Sequence, residues 1–150
     1  MTEHRAPHLA AFTGWYANLD PASLEAIAEY YTENVRFRDP FHDVRGRETL
    51  YRIYRNMFTR LEGPRFEITG TVAEGDTAAV YWDFGFRYRG RAITIKGSSW
   101  VRFAADGRVE AHVDYWDAAS QVYARIPLLG AVLERLRRRL AAAMVEGTGD

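Results

Sequence analysis

An α+β domain with its helices laid on one face of a single sheet is expected from two features of this 150-residue chain. Apolar residues recur at three- and four-residue spacing in the N-terminal part, which is the mark of amphipathic helices. From Phe66 onward the pattern changes to four long stretches rich in β-branched and aromatic residues, parted by short Gly-containing turns. Helices first and sequential hairpins afterwards give a layered α+β arrangement with an antiparallel sheet.

Each element follows in order. Leu9, Phe12, Tyr16 and Leu19 predict a first helix. Asp20 can cap a second, running from Pro21 to Tyr31, with proline at its first position and Leu24, Ile27, Ala28 and Tyr31 on its apolar face. Asn34 to Asp39 reads as a short strand stopped by Pro40. Leu50, Ile53, Tyr54, Met57 and Leu61 predict a third helix that Gly63-Pro64 ends. Strands are expected at Phe66–Ala73, Ala78–Tyr88, Ala92–Phe103 and Val109–Trp116. Gly75-Asp76, Arg89-Gly90 and Asp106-Gly107 serve as their turns. Val122, Ile126, Leu129, Val132, Leu133, Leu136 and Leu140 then outline a C-terminal amphipathic helix over about 127–144, interrupted at Pro127. Residues 146–150 read as a disordered tail.

Composition narrows the function. The length suits one domain over residues 1–150, with no internal repeat or long linker. Twenty basic and twenty acidic residues cancel, so no global field draws nucleic acid or an anionic surface. The absence of cysteine removes thiol catalysis, disulfides and cysteine-ligated metals. Neither a phosphate-cradling glycine loop nor a dinucleotide fingerprint is present, so nucleotide hydrolysis and hydride transfer lack support. His42, Asp43 and Asp39 share one loop but lack metal-site spacing, so no metal and no cofactor is expected. Met1 to Pro7 carries no apolar signal core, and no run is long enough to span a bilayer. The chain is therefore read as cytoplasmic.

The chemistry is expected around three side chains. Asp39 closes a strand where helices and sheet meet, and Pro40 biases it toward an extended conformation that aims its carboxylate. Residues two apart share a sheet face, so His112, Asp114 and Trp116 lie together. Trp82, Phe84 and Phe86 should line the neighbouring strand, and Ser99, Val101 and Phe103 the next. An aromatic cavity with few polar groups is the usual form of a small-molecule site. A carboxylate among those rings must find a partner or take up a proton, and both conditions suit proton transfer. His112 reads either as an acid/base group or as a core histidine bonded to Asp114 or Tyr54.

With Asp39-Pro40 after the second helix and Gly107-Arg108-Val109 opening the last strand, residues 8–123 resemble the nuclear-transport-factor-2-like superfamily. Within it the chain resembles SnoaL-like polyketide cyclases and ketosteroid isomerases. The resemblance implies a cone-shaped α+β barrel in which a strongly curved antiparallel sheet holds three N-terminal helices on its concave face, with a C-terminal helix added. It also implies an apolar small-molecule ligand in the cone. Asp39 matches the isomerases' general base and Tyr54 a tyrosine of their hydrogen-bond network. The oxyanion tyrosine falls on Trp15, with Tyr16 next to it, and the protonated oxyanion aspartate falls on Ser99, which cannot duplicate that donor. The run from Gly107 to Asp114 resembles the SnoaL-like pattern of a histidine and an aspartate before the final helix.

Two functions are carried forward. In the first, the protein is a cofactor-independent isomerase, cyclase or dehydratase. Asp39, Asp114 and His112 move protons, Tyr54 orients one of them, and Trp15, Trp82, Phe84, Phe86, Ser99 and Trp116 enclose the ligand. In the second, the same fold is a non-catalytic binding or homodimerisation module. The outer sheet face, with Tyr81, Asp83, Arg87 and Trp100, is the expected dimer surface. Arg135, Arg137, Arg138 and Arg139 flank the apolar residues of the last helix. That pattern reads as a helix packed on protein with its arginines in water, and secondarily as a helix lying on a membrane surface.

Overall fold

The four aromatic-rich stretches form consecutive antiparallel hairpins in a computed structural model that describes residues 6–146. They are β3 (Glu62–Glu74), β4 (Thr77–Tyr88), β5 (Arg91–Phe103) and β6 (Val109–Trp116). The β4–β5 turn is the tight two-residue kind, closed by the Tyr88–Arg91 pair, with Arg89 at φ 49° and Gly90 at φ 77°. Two successive left-handed residues match the twist of the flanking strands, and glycine at the second position relieves the strain. The expected face is the one that is buried. Trp82, Ser99, Val101, Phe103 and His112 all lie inside, whereas Phe84, Phe86, Asp114 and Trp116 are half-buried toward one end.

The sheet is mixed rather than antiparallel. β1 (Tyr31–Arg38) lies beside β6 and runs parallel to it, with Phe37 opposite His112 and Arg38 opposite Val113. The short β2 (Asp43–Arg45), which the sequence pattern did not reveal, adds to its other edge. The strand order β2-β1-β6-β5-β4-β3 makes a curved, unclosed six-stranded sheet. Alternation of side chains fixes which face a strand buries but not its direction. The long excursion between β1 and β6 permits the parallel sense.

The helices α1 (Ala6–Ala17) and α3 (Arg47–Arg60) supply the other half of the core. Phe12, Trp15 and Tyr16 of α1 and Leu50 and Tyr54 of α3 are buried, as their spacing requires. The second expected helix is reduced to a 3-10 turn at Ser23–Ala26 and one α turn, α2 (Ile27–Tyr30). Asp20 still caps it. The Ser23 N–H donates to Asp20 Oδ1 at 2.7 Å and the Asp20 N–H to Ser23 Oγ at 2.8 Å. Tyr31 leaves the helix and opens β1, fully buried. Gly63-Pro64 follows the end of α3 but belongs to β3, where the pairing with β4 is irregular between Glu62 and Arg65.

Gly97 has a particular role in the sheet. A Cβ there would come within 2.5 Å of the Trp82 ring and 3.0 Å of Trp116 Cβ. Its bare backbone lets the Trp82 indole lie across β5 and reach Ser99.

The chain divides into two compact units, residues up to Trp116 and residues from Asp117 on. The second contains α4 (Ala118–Gln121), a 3-10 turn at Tyr123–Arg125 and α5 (Leu129–Glu146). Asp117 caps α4 by accepting from the Ser120 N–H at 3.0 Å. The break expected at Pro127 is present, with Leu128 at φ 69° immediately before α5. The expectations for residues 1–5 and 147–150 lie outside the described residues.

Candidate acid/base site

His112 is the centre of a buried polar chain that joins β1, β5, β6 and α3. Its ring is fully buried and packs edge-on against Phe12 and Phe37. An imidazole in such a place needs both nitrogens bonded. Nε2 lies 2.7 Å from Asp114 Oδ1 and 3.1 Å from Ser99 Oγ, and Nδ1 lies 2.8 Å from the Tyr31 hydroxyl. The Ser99 hydroxyl donates to Asp114 Oδ1 at 2.5 Å and accepts from the Trp82 indole N–H at 2.9 Å. Tyr31 continues the chain to the Tyr54 hydroxyl at 3.1 Å. A carboxylate on Nε2 favours a proton there, which leaves Nδ1 able to accept from Tyr31.

Tyr16 is the exception. Its fully buried hydroxyl lies beside those of Tyr54 and Ser99, yet completes no hydrogen bond among the described residues. An unspent donor in a dry interior is costly and uncommon. Burial holds Tyr16, Tyr31 and Tyr54 well above the ordinary tyrosine range. The Asp114 charge adds to the shift at all three. A raised folded pKa favours the native state below the unfolded tyrosine value of about 10, and that contribution disappears as pH rises through the folded value. Three of the nine tyrosines should therefore remain protonated in an ultraviolet titration until the protein unfolds. Smooth ionisation of all nine with native circular dichroism would contradict this arrangement.

Parallel pairing decides what stands at the surface end of this chain. Because β1 and β6 end on the same side, Asp39, just beyond β1, comes level with Asp114. Both line a shallow cleft with Arg38, Pro40, Val113, Tyr115 and Trp116. The Asp114 side chain is 10% exposed and His112 behind it is closed off. Asp114 thus connects the buried network to the cleft. Asp39 is turned partly into its own loop. Its Oδ1 accepts from the N–H groups of Phe41 at 2.8 Å and His42 at 2.6 Å, and His42 Nδ1 lies 2.9 Å away. Oδ2 has His42 Nδ1 alone among the described residues, at 3.1 Å. Phe41 packs edge-on against Trp116 and gives the rim an apolar wall.

The other expected residues are distributed as follows. Tyr54 and Ser99 are members of the buried chain. Trp82 serves it through its indole N–H. Phe84 stacks on Phe66, and Phe86 packs tilted against Phe84 along the same sheet face. Trp15 is committed elsewhere: its indole donates to the Ser23 carbonyl at 2.9 Å and its ring stacks on Tyr30. Tyr16 points into the network instead. Asp83 faces outward, as its parity requires, and binds Lys96 at 2.8 Å. Sequence reasoning assigned Tyr31 to a helix and so missed its bond to His112. It set His42 aside because its loop lacks metal-site spacing. Among the described residues no group of three or more His, Asp or Glu side chains is gathered as a metal site.

A curved, unclosed mixed sheet combined with N-terminal helices is the NTF2-like α+β fold. Solved structures agree on the fold. A candidate polyketide cyclase from Xanthomonas campestris pv. campestris superposes with a TM-score of 0.69 at 12% identity, covering 77% of this chain and 94% of that one. An NTF2-like protein of unknown function from Burkholderia pseudomallei gives 0.68 at 18% identity, covering 77% and 94%. TerC, co-crystallised with polyporic acid, gives 0.67 at 18% identity, covering 76% and 94%. The SnoaL-like domain model matches residues 12–112, and the chain belongs to that family. No curated protein matches the sequence.

Proposed function

We propose that this SnoaL-like protein binds an apolar, carbonyl-bearing small molecule and moves a proton on it without a cofactor, as an isomerase, cyclase or dehydratase does. The observation that carries the reading is Asp114, a carboxylate bonded to a buried histidine and serine yet open to an apolar-walled cleft. Proton transfer next to a carbonyl needs a carboxylate within reach of the carbon and a donor for the developing oxygen charge. Asp114, relayed by His112, fills the first role. Oδ2 of Asp39, steadied by His42, is a further acceptor at the rim, and Trp116 and Phe41 supply apolar contact. Hydride or thiol chemistry has no residues here to support it.

A second reading, pairing of two copies through the outer sheet face, is favoured by one feature. Val72, Ala79, Trp100 and Val113 form a row across four strands. Tyr81 and Tyr115, 46% and 61% exposed, flank it. A contiguous apolar patch of this kind suits a protein partner.

Titrating the protein with a planar phenol, which imitates an enolate, tests the first reading, and polyporic acid is a natural second probe. Saturable binding that quenches tryptophan fluorescence, varies with pH and changes in Asp114→Asn is the expected result. If neither probe binds, the catalytic reading fails. Light scattering on the same samples should give the mass of two chains if the sheet face is an interface, and of one chain if it is not.

A further inference from the structure

α5 carries an apolar stripe edged by arginines. Val132, Leu136, Leu140 and Met144 recur every four residues and so fall in one stripe along the helix. They are exposed by 64, 51, 54 and 76%. At 100° per residue, Arg135 and Arg139 flank one edge of the stripe and Arg137 the other. Glu134 lies on the far side. It is already engaged, accepting from Arg137 Nη2 at 2.7 Å and from Arg138 Nε at 2.9 Å. Arg135 and Arg139 have no carboxylate partner among the described residues. With Glu134 and Arg138 they border a shallow groove that Ala131 and Ala142 also line.

We propose that α5 is a peripheral membrane anchor that lays its Val132–Met144 stripe into an anionic lipid surface, with Arg135, Arg137 and Arg139 at the headgroup phosphates. The occupant follows from charge. Two copies of α5 meeting stripe to stripe would bring the Arg135/Arg139 edge of one against an arginine-bearing edge of the other in either orientation. An anionic bilayer offers apolar depth for the stripe and phosphates at both edges. The helix spans about 27 Å at 1.5 Å per residue. No described helix is long and apolar enough to cross a membrane, so α5 would rest in the interface plane.

Co-sedimentation of the full chain with vesicles tests this. Binding is expected to vesicles of phosphatidylcholine mixed with phosphatidylglycerol, to be weak on phosphatidylcholine alone and to fall with added salt. Leu136→Asp with Leu140→Asp should lower the partition at least tenfold. Arg135→Gln with Arg139→Gln should lower it about fivefold per arginine at low salt. Both variants alter exposed positions, and unchanged far-ultraviolet circular dichroism confirms that the helix is intact. The proposal is overturned if the wild type does not sediment with anionic vesicles or if the aspartate variant binds as well as the wild type. It is also overturned if the stripe is occupied by a second copy, which would appear as a two-chain mass that Leu136→Asp reduces to one.

Discussion

His112→Ala is expected to lower the unfolding free energy by about 3–5 kcal/mol, the range for emptying a large buried site and stranding its polar neighbours. The ring is fully buried and ties together Asp114, Ser99 and Tyr31. Its removal leaves a void between Phe12 and Phe37, and each polar partner loses a bond in a dry setting. Against a typical total of about 5–15 kcal/mol, the variant would be marginal at room temperature. His112→Phe separates the two causes, because it refills the ring volume without restoring a nitrogen. It should recover part of the loss but remain about 1–3 kcal/mol short of the wild type. Urea unfolding gives the comparison, with an unchanged m-value showing that only stability has moved. A loss below about 1 kcal/mol for both variants would mean that the polar chain adds little to the fold.

Asp114→Asn should abolish most of the chemistry while sparing the structure. Asparagine keeps the shape and leaves a carbonyl oxygen that can still accept from Ser99 and His112, but it cannot take up a proton. Removal of a positioned acid/base group costs typically about 10²–10⁴-fold in rate. The assay needs no knowledge of the natural substrate: uptake of deuterium beside the carbonyl of 2-tetralone, followed by proton NMR, reports proton transfer alone. Asp39→Asn serves as the contrast. The Asp39 carboxylate accepts three N–H groups of its own loop. Its loss should mainly loosen residues 39–43 and reduce exchange less than Asp114→Asn does. Equal exchange by the wild type and Asp114→Asn would remove Asp114 from the mechanism. A larger loss in Asp39→Asn would transfer the principal role to the rim.

The sequence specifies much of this through local rules. Val109–Trp116 has the bounds expected from its residues, and the hairpins from β3 to β6 follow from Gly-containing turns between alternating stretches. The shared face of Trp82, Ser99 and His112 follows from two-residue periodicity, which also places Asp114 beside His112. Other expectations failed where neighbours in space overrode local preference. Tyr30-Tyr31 fits a helical apolar face as well as a strand, and β1 claims Tyr31 because its ring packs on His112, 81 positions away. Trp15 and Tyr16 are adjacent on α1. The packing of the Tyr16 ring against Phe12, Phe66 and His112 decides that Tyr16, and not Trp15, faces the network.

What the sequence determined by itself is therefore the four long strands, the first and third helices and the side of the sheet that the strand residues occupy, since these depend on periodicity, caps and turns within a few positions. The tertiary structure alone decided that β1 runs parallel to β6, that Asp39 and Asp114 line one cleft, and that Tyr16 faces the buried network. Those outcomes depend on pairings between distant parts of the chain, settled by which arrangement buries the most ring surface with the fewest stranded polar groups.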